Sequence, residues 1–247
     1  MPLTVLTKAD FEPRPAAEAG KRFAGKAALT SEAFDRLSTA ARQNAFRIAK
    51  VNNARLIQRA RDIVHRAIRD GTEFRTVRQQ LIELFDTEGL ARPALSRLRF
   101  TFQQNAMQAY NEGRREMLDE PDIMHAFPYR QYLTVGNGVA GVNGVRPEHA
   151  ALHGLIFKAD DAFWNAHTPP WDWGCRCTFR ALTAGQVQRM GEKVRNLGYI
   201  RKRIRVPGKK GRGIEANAQF VRGEFDLSAI DKELRKALEG MLNESTG

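Results

Sequence analysis

With 247 residues, 42% of them hydrophobic, the chain is long enough for one large or two modest domains, and its apolar content excludes wholesale disorder. Its formal net charge is +12, from 40 Lys and Arg against 28 Asp and Glu. No run approaches the roughly 18 apolar residues of a spanning helix, and Met1 to Phe11 lacks the basic, apolar and small-residue succession of a secretory leader. The charge is unevenly placed: residues 1–120 hold 21 basic and 15 acidic side chains, residues 121–190 hold 6 and 5, and residues 191–247 hold 13 and 8. A polyanion would therefore meet the flanks and not the near-neutral middle. The two cysteines are separated by one residue, a poor disulfide framework that suits a reducing compartment.

Residues 1–30 hold Pro2, Pro13, Pro15, Gly20 and Gly25 and read as an arm with at most one short helix. Thr30 or Ser31 can cap a helix whose stripe runs Phe34, Leu37, Ala41, Ala45 and Ile48, then Leu56, Ala60, Ile63 and Ala67, with Gly71 closing it and a break expected near Val51-Asn52-Asn53. Thr72 can cap a second helix with Phe74, Val77, Leu81 and Phe85, ended by Gly89. Pro93 opens a third, with Leu95, Leu98, Phe102, Ala106, Tyr110 and Met117 on one side. Residues 31–120 are thus expected to pack as an antiparallel helical bundle or a hairpin with an extra helix. The arginines off the stripes, such as Arg55, Arg59 and Arg66, read as a solvated face.

From Pro121 the texture changes. Tyr129 to Val135 alternates as a strand does, and the glycine-rich segment from Gly136 to Gly144 reads as a loop without a nucleotide-binding fingerprint. Val145 to Arg180 then holds both cysteines, all three tryptophans and three of the five histidines. Pro147 to His153 reads as a two-turn helix with Gly154 past its end, which puts His149 and His153 on one face. If the chain is extended after Gly174, Cys175 and Cys177 point together and Arg176 points the other way. Residues 121–185 make a small, irregular α+β module, so the whole chain is α+β with a mainly helical first part. Residues 186–247 form a basic extension: Lys193, Arg195, Arg201, Lys202, Arg203, Arg205, Lys209, Lys210 and Arg212 give the strongest polyanion signal. A closing amphipathic helix follows, with Ser228 and Asp231 as a capping pair and Ile230, Leu234, Leu238 and Met241 as its stripe; that stripe needs a partner surface, in its own core or on a neighbour.

The run Arg146-x-x-His149, Gly154, Phe163-Trp164, Pro169-Pro170 and Cys175-Arg176-Cys177 resembles the Mu F-like phage head-morphogenesis family, the minor head proteins of tailed phages. The likeness extends upstream through Phe23 to Lys26, Phe46-Arg47-Ile48-Ala49 and Tyr110-Asn111-Glu112-Gly113-Arg114, covering about residues 20–185. It implies a non-enzymatic minor head component acting in procapsid assembly, with a few copies per particle in the virion head and in the host cytoplasm during assembly. It implies the portal or major capsid protein as neighbours, with double-stranded DNA as a further partner and no membrane. It also favours His149 and the cysteine pair over His153 as the conserved site.

Chemically, His149, His153, Cys175 and Cys177 offer two imidazoles and two thiolates, a donor set that suits zinc, although paired zinc cysteines are normally two to four residues apart. Against that stands a metal-free reading, with the cysteines as small apolar groups and His149 as a cross-module hydrogen-bonding group. Catalytic readings are a thiol hydrolase built on Cys175 and His149, or a metal-dependent nuclease with Glu148 as base. A free nucleoid-type DNA-binding protein is a further rival. Trp164, Trp171 and Trp173 read as a clamp for the loop, and Arg176 as a cross-link to Asp160, Asp161 or Glu148.

Overall fold

A computed structural model describes residues 15–135, 138–206, 209–211, 213–217 and 227–244. The chain is α+β with a helical N-terminal part. That part comprises α1 (Pro15–Ala24), β1 (Ala27–Ala28), α2 (Ser31–Asp35), α3 (Thr39–Gln43), β2 (Ala45–Phe46), α4 (Ala54–Arg69), α5 (Phe74–Thr87) and α6 (Leu95–Asp119). Then come α7 (Pro121–Ala126), β3 (Tyr129–Leu133), α8 (Pro147–Leu152), β4 (Ile156–Lys158), α9 (Phe163–His167), β5 (Thr178–Leu182), α10 (Ala184–Met190), β6 (Val194–Arg195), α11 (Leu197–Lys202) and α12 (Leu227–Glu244). None of the described helices is long and apolar enough to cross a membrane.

The three long helices form where the apolar periodicity places them. Asn53 ends the break expected before α4 by capping it, its side chain accepting from Leu56 N at 2.9 Å. Leu56, Ala60, Ile63 and Ala67 of α4, Val77, Leu81 and Phe85 of α5, and Leu98 and Phe102 of α6 meet in one core.

Residues 15–28, expected as part of an arm with at most one short helix, hold one, α1, followed by β1, and α1 lies against both α4 and α6 with Ala19 and Phe23 fully buried. Gly20 of α1 is a contact residue: a Cβ there would stand 2.7 Å from Arg69 Cβ, so only glycine lets α1 and α4 approach this closely. Residues 31–48 are not one helix. Thr30 does cap α2, accepting from Ala33 N, but Ser38 starts a second short helix by accepting from Ala41 N, and its hydroxyl also meets Glu233 of α12 at 2.7 Å. Ala45 and Phe46 then extend into β2, which pairs in parallel with β1. A cap in mid-stripe and a long-range strand pairing override the local helical pattern.

The second part is built on a four-stranded sheet in the order β5-β3-β4-β6, with β3 antiparallel to both neighbours and β4 parallel to β6. Its core gathers Tyr132, Phe157, Phe163, Trp164, Trp171 and Phe179. Leu118 of α6 enters it from one side, and Ile200, Ile204, Val206 and Ile214 enter from the basic stretch, so residues 186–217 continue the packing of the module. Arg130 on β3 is 1% exposed and donates to Asp119 Oδ1 at 2.6 Å and Leu118 O at 2.9 Å, an ion pair that ties the end of α6 to the sheet.

The closing helix α12 covers its own chain. Ile230, Leu234 and Met241 share a core with Leu29, Phe34, Leu37 and Ala41.

Candidate functional site: a buried histidine and cysteine knot

Pro147 opens α8 and Gly154, at φ +79°, follows its last turn, so the short helix presents His149 inward from its middle. The loop from Trp171 to Cys177 approaches from the other side. Cys175 and Cys177 lie just before β5, and their sulfurs stand 3.6 and 3.5 Å from His149 Nδ1. Both side chains point inward and Arg176 points outward, as the alternation requires. His149, Cys175 and Cys177 are each 3% exposed, and their ligand atoms all lie within 4.8 Å of one another, so the three could hold a metal ion.

Three neighbours complete the knot. Trp171 stacks on the His149 ring with centroids 3.9 Å apart and donates through Nε1 to Tyr132 Oη at 2.7 Å. Tyr132, fully buried on β3, stands 3.5 Å from His149 Nδ1. Arg146 Nη2 lies 3.0 Å from His149 Nε2 and 3.1 Å from Asp172 Oδ2, while Nη1 donates to Trp173 O at 2.9 Å. A guanidinium only donates, so Nε2 must accept and the imidazole proton sits on Nδ1, aimed at the sulfurs.

The electrostatics follow from that direction of donation. The Cys177 thiol donating to Cys175 holds the Cys175 thiol well below its ordinary range, against the opposing pull of burial, with His149 adding to the effect. The same bond, together with burial, raises Cys177, which keeps its proton. Burial raises the Tyr132 hydroxyl, and the two cysteines add to the rise. The arrangement therefore favours the lower thiol pKa at Cys175, which Cys177 and His149 face as hydrogen-bond donors, while the Arg146 charge acts on Cys177. The adjoining cleft, between Arg146, His149, Gly174 and Arg176, has a volume of about 40 Å³, which admits a water or an ion and excludes a nucleotide or a peptide.

The other residues singled out from the sequence fall as follows. His153 is not a fourth donor: α8 ends at Leu152, the backbone turns out of the helix at His153, and its Nδ1 accepts from Thr134 N at 3.0 Å. Trp164 is buried at the centre of the module, Trp171 is in the knot, and Trp173 is 42% exposed, so two of the three tryptophans form the clamp. Pro169-Pro170 is a cis peptide. Arg146 cross-links the loop through Asp172, while Asp161 caps the Phe163 and Leu197 backbones and Glu148 pairs with Lys209.

Tyr132 has no site role in the sequence reading, and Asn111 enters it only as part of the family likeness. Asn111 of α6 donates to Cys177 O at 3.2 Å and accepts from Thr178 Oγ1 at 3.0 Å, stitching the long helix to the cysteine loop. Asn111 is buried in the middle of a helix, a signal that a long-range partner exists. Of the basic stretch, Lys193, Arg201, Lys202, Arg203, Arg205, Lys209 and Lys210 are exposed, and Arg195 stacks on the Tyr199 ring at 4.4 Å. Arg212 lies outside the described residues.

The family model described as Phage Mu protein F like protein matches residues 58–180, from the second turn of α4 through the knot. Through this region the chain belongs to the Mu F-like family. It is 35% identical over 171 residues to a putative capsid assembly protein F of Escherichia phage Mu, covering 62% of this chain and 37% of that relative. It is 32% identical over 181 residues to a Mu-like prophage FluMu F protein of Haemophilus influenzae, covering 67% of this chain and 41% of that relative. The chain thus spans about two fifths of the length of these relatives. No solved structure matches it at a significant level.

Proposed function

We propose that this chain is a non-enzymatic component of phage head assembly, a minor head protein present in few copies per particle, and that its knot holds shape instead of turning over a substrate. The observation that carries this reading is that the family-matched span contains the whole knot and that the knot is buried beside a cleft too small for a macromolecular substrate. The name of the Mu relative supports the assembly role. The neighbours on this reading are the portal protein, the major capsid protein, or both, within the virion head and, during assembly, the host cytoplasm. The alternative, a metal-dependent nuclease or hydrolase acting on phage DNA or scaffold, needs an open coordination position that substrate can reach. Quantitative mass spectrometry of mature and precursor heads tests the assembly reading. A low, fixed copy number in both is expected; absence from both, or presence in precursors alone, would remove the structural role and reopen the enzymatic one.

A contact with packaged DNA belongs to this proposal on charge alone, because Lys193 to Arg212 lies beyond the family-matched span. Lys209 is already paired with Glu148, so Arg201, Lys202, Arg203 and Arg205 carry the reading. Reversing those four charges is expected to weaken duplex binding and flatten its salt dependence, each lost phosphate contact lowering the slope of log K against log salt by about 0.9. Unchanged retention across a salt titration would refute the contact.

Zinc is the ion that the donor set would take. The sulfur to nitrogen separations of 3.5 and 3.6 Å match the edge of a tetrahedron with zinc bond lengths of about 2.3 and 2.0–2.1 Å. The surroundings do not fit as well: a zinc-ligating histidine donates its other N–H to an acceptor, whereas Nε2 here faces the Arg146 donor. Loading Nδ1 with a metal would require its proton to move to Nε2 and Arg146 to turn aside. The metal-free knot is the reading we carry forward, and stoichiometric zinc in elemental analysis of the purified chain would replace it.

A further inference from the structure

A second cleft, of about 150 Å³, opens where the helical part meets the cysteine loop. Its walls include Phe34 of α2, Phe100 and Gln104 of α6, and Trp173 from the loop that carries the knot. Phe100 and Trp173 are 43% and 42% exposed and lie against one another, ring centroids 6.3 Å apart, as an uncovered aromatic rim. Isolated exposed apolar residues are ordinary, but a tryptophan and a phenylalanine meeting at the mouth of a cleft are the kind of anchor that interfaces use.

The floor holds an unanswered donor. Gln104 is 7% exposed; its Oε1 accepts from Gly174 N at 2.8 Å, which fixes the orientation of the amide and leaves Nε2 buried with no hydrogen-bond partner. A buried unpaired N–H costs about 1–3 kcal/mol, and an acceptor on a bound group would answer it.

The charge is one-sided. Four cations and no carboxylate line the cleft. Two of the four are compensated nearby: Arg47 pairs with Asp35, and Lys26 donates to Gln108 and feels the Glu112 charge. The other two are not. Arg42 donates to the Asp35 backbone carbonyl and lies 5.7 Å from the Phe34 ring centre but leaves its buried Nε unpaired, and Arg97 has no ion-pair partner among the described residues. The space admits one six-membered ring and little more, so a Phe or Tyr side chain fits and a nucleoside with its sugar does not.

We propose that this cleft is a docking site for a peptide segment of a partner protein that presents an aromatic side chain next to a carboxylate. The ring would fill the space behind Phe100 and Trp173, a main-chain carbonyl would accept from Gln104 Nε2, and the carboxylate would pair with Arg97 and Arg42. One wall belongs to the bundle and one to the cysteine loop, so a docked segment would touch both parts of the chain. The inference stands on the cleft alone and does not require the role in head assembly.

Selection from a random seven-residue peptide library against the full chain tests it. Enriched peptides are expected to carry Phe, Tyr or Trp within two residues of Asp or Glu. A synthetic copy of the best peptide, read by fluorescence anisotropy, should bind Arg97→Glu and Trp173→Ala at least about tenfold more weakly than the parent chain. Circular dichroism of both variants guards against misfolding; Trp173 is exposed and Arg97 half-buried. No enrichment, enrichment of basic peptides, or binding that neither substitution weakens would overturn the proposal. A single-stranded oligonucleotide that displaces the peptide from the same two residues would reassign the cleft to nucleic acid.

Discussion

Trp164→Ala should lower the unfolding free energy by about 3–5 kcal/mol, the range for removing a large aromatic side chain from a core. Trp164 is 1% exposed and sits among Phe163, Phe179 and Phe157, with centroids at 4.9, 5.3 and 5.8 Å. Its Nε1 donates to Lys158 O at 2.9 Å, and the buried Arg130 guanidinium lies 6.0 Å from its ring. Truncation would therefore open a cavity, orphan a carbonyl and strip a buried cation of one of its two aromatic faces. Trp173→Ala is the internal comparison: the same deletion at a rim position 42% exposed should cost less than about 1 kcal/mol. Urea denaturation of the two variants beside the parent chain measures both. Equal losses would mean that the module is not organised around Trp164.

The second large effect is on pH. His167, at the end of α9, is 1% exposed, stacked on Phe163 at 4.8 Å and edge-on to Trp171 at 5.2 Å, and neither ring nitrogen has a hydrogen-bond partner. Burial lowers its pKa to about 4, against a weaker upward pull from the Phe163 backbone and with Arg201 and His149 adding to the fall. The folded state binds this proton less readily than the unfolded state, whose histidine titrates near 6.5. The stabilisation is thus complete above about pH 6.5 and lost progressively as pH falls towards 4, amounting to about 2–3 kcal/mol by pH 4.5. His167→Phe keeps an aromatic ring in the stack and removes the titration. Unfolding free energies from denaturant titrations at pH 7 and pH 4.5 should diverge for the parent chain by that much more than for the variant. Parallel pH dependence would place the acid sensitivity elsewhere, with His65 and His153, both also lowered by burial, as the next histidines to examine.

The parts of this structure that could be read from sequence are those where one local signal is uncontested. Helices α4, α5 and α6 follow a period of 3.6 over three or more turns, and α8 is framed by Pro147 and Gly154. The segment from Ser31 to Ile48 has the same period but also carries Ser38, whose capping bond and contact with Glu233 end the helix early; that contact crosses 195 residues and leaves no local trace. One short helix in the arm was allowed by the sequence, but nothing local says that Gly20 of α1 sits at a tight crossing with α4, so the packing of α1 was not legible. In the site, strand periodicity put Cys175 and Cys177 on one side, whereas their meeting with His149 followed only from the family resemblance and the donor set. The fourth corner was not legible: His153 shares a face with His149 only if the helix runs one residue further, and Tyr132 reaches the knot through sheet pairing.

Helix α6 places a constraint on how this chain can change in length. Its 25 residues span about 38 Å, with Leu98 and Phe102 buried in the bundle and Leu118 buried in the module. Each residue inserted or deleted between Phe102 and Asn111 would turn everything beyond it by about 100° about the helix axis, detaching Asn111 from Cys177 and Leu118 from its core. Only changes that restore the rotational phase, such as roughly seven residues for about two turns, keep both faces aligned, and each such step also moves the two ends about 10 Å along the axis. The surface loops can absorb single-residue changes, whereas this rod can vary only in steps, and it holds the bundle and the cysteine loop at one fixed angular setting.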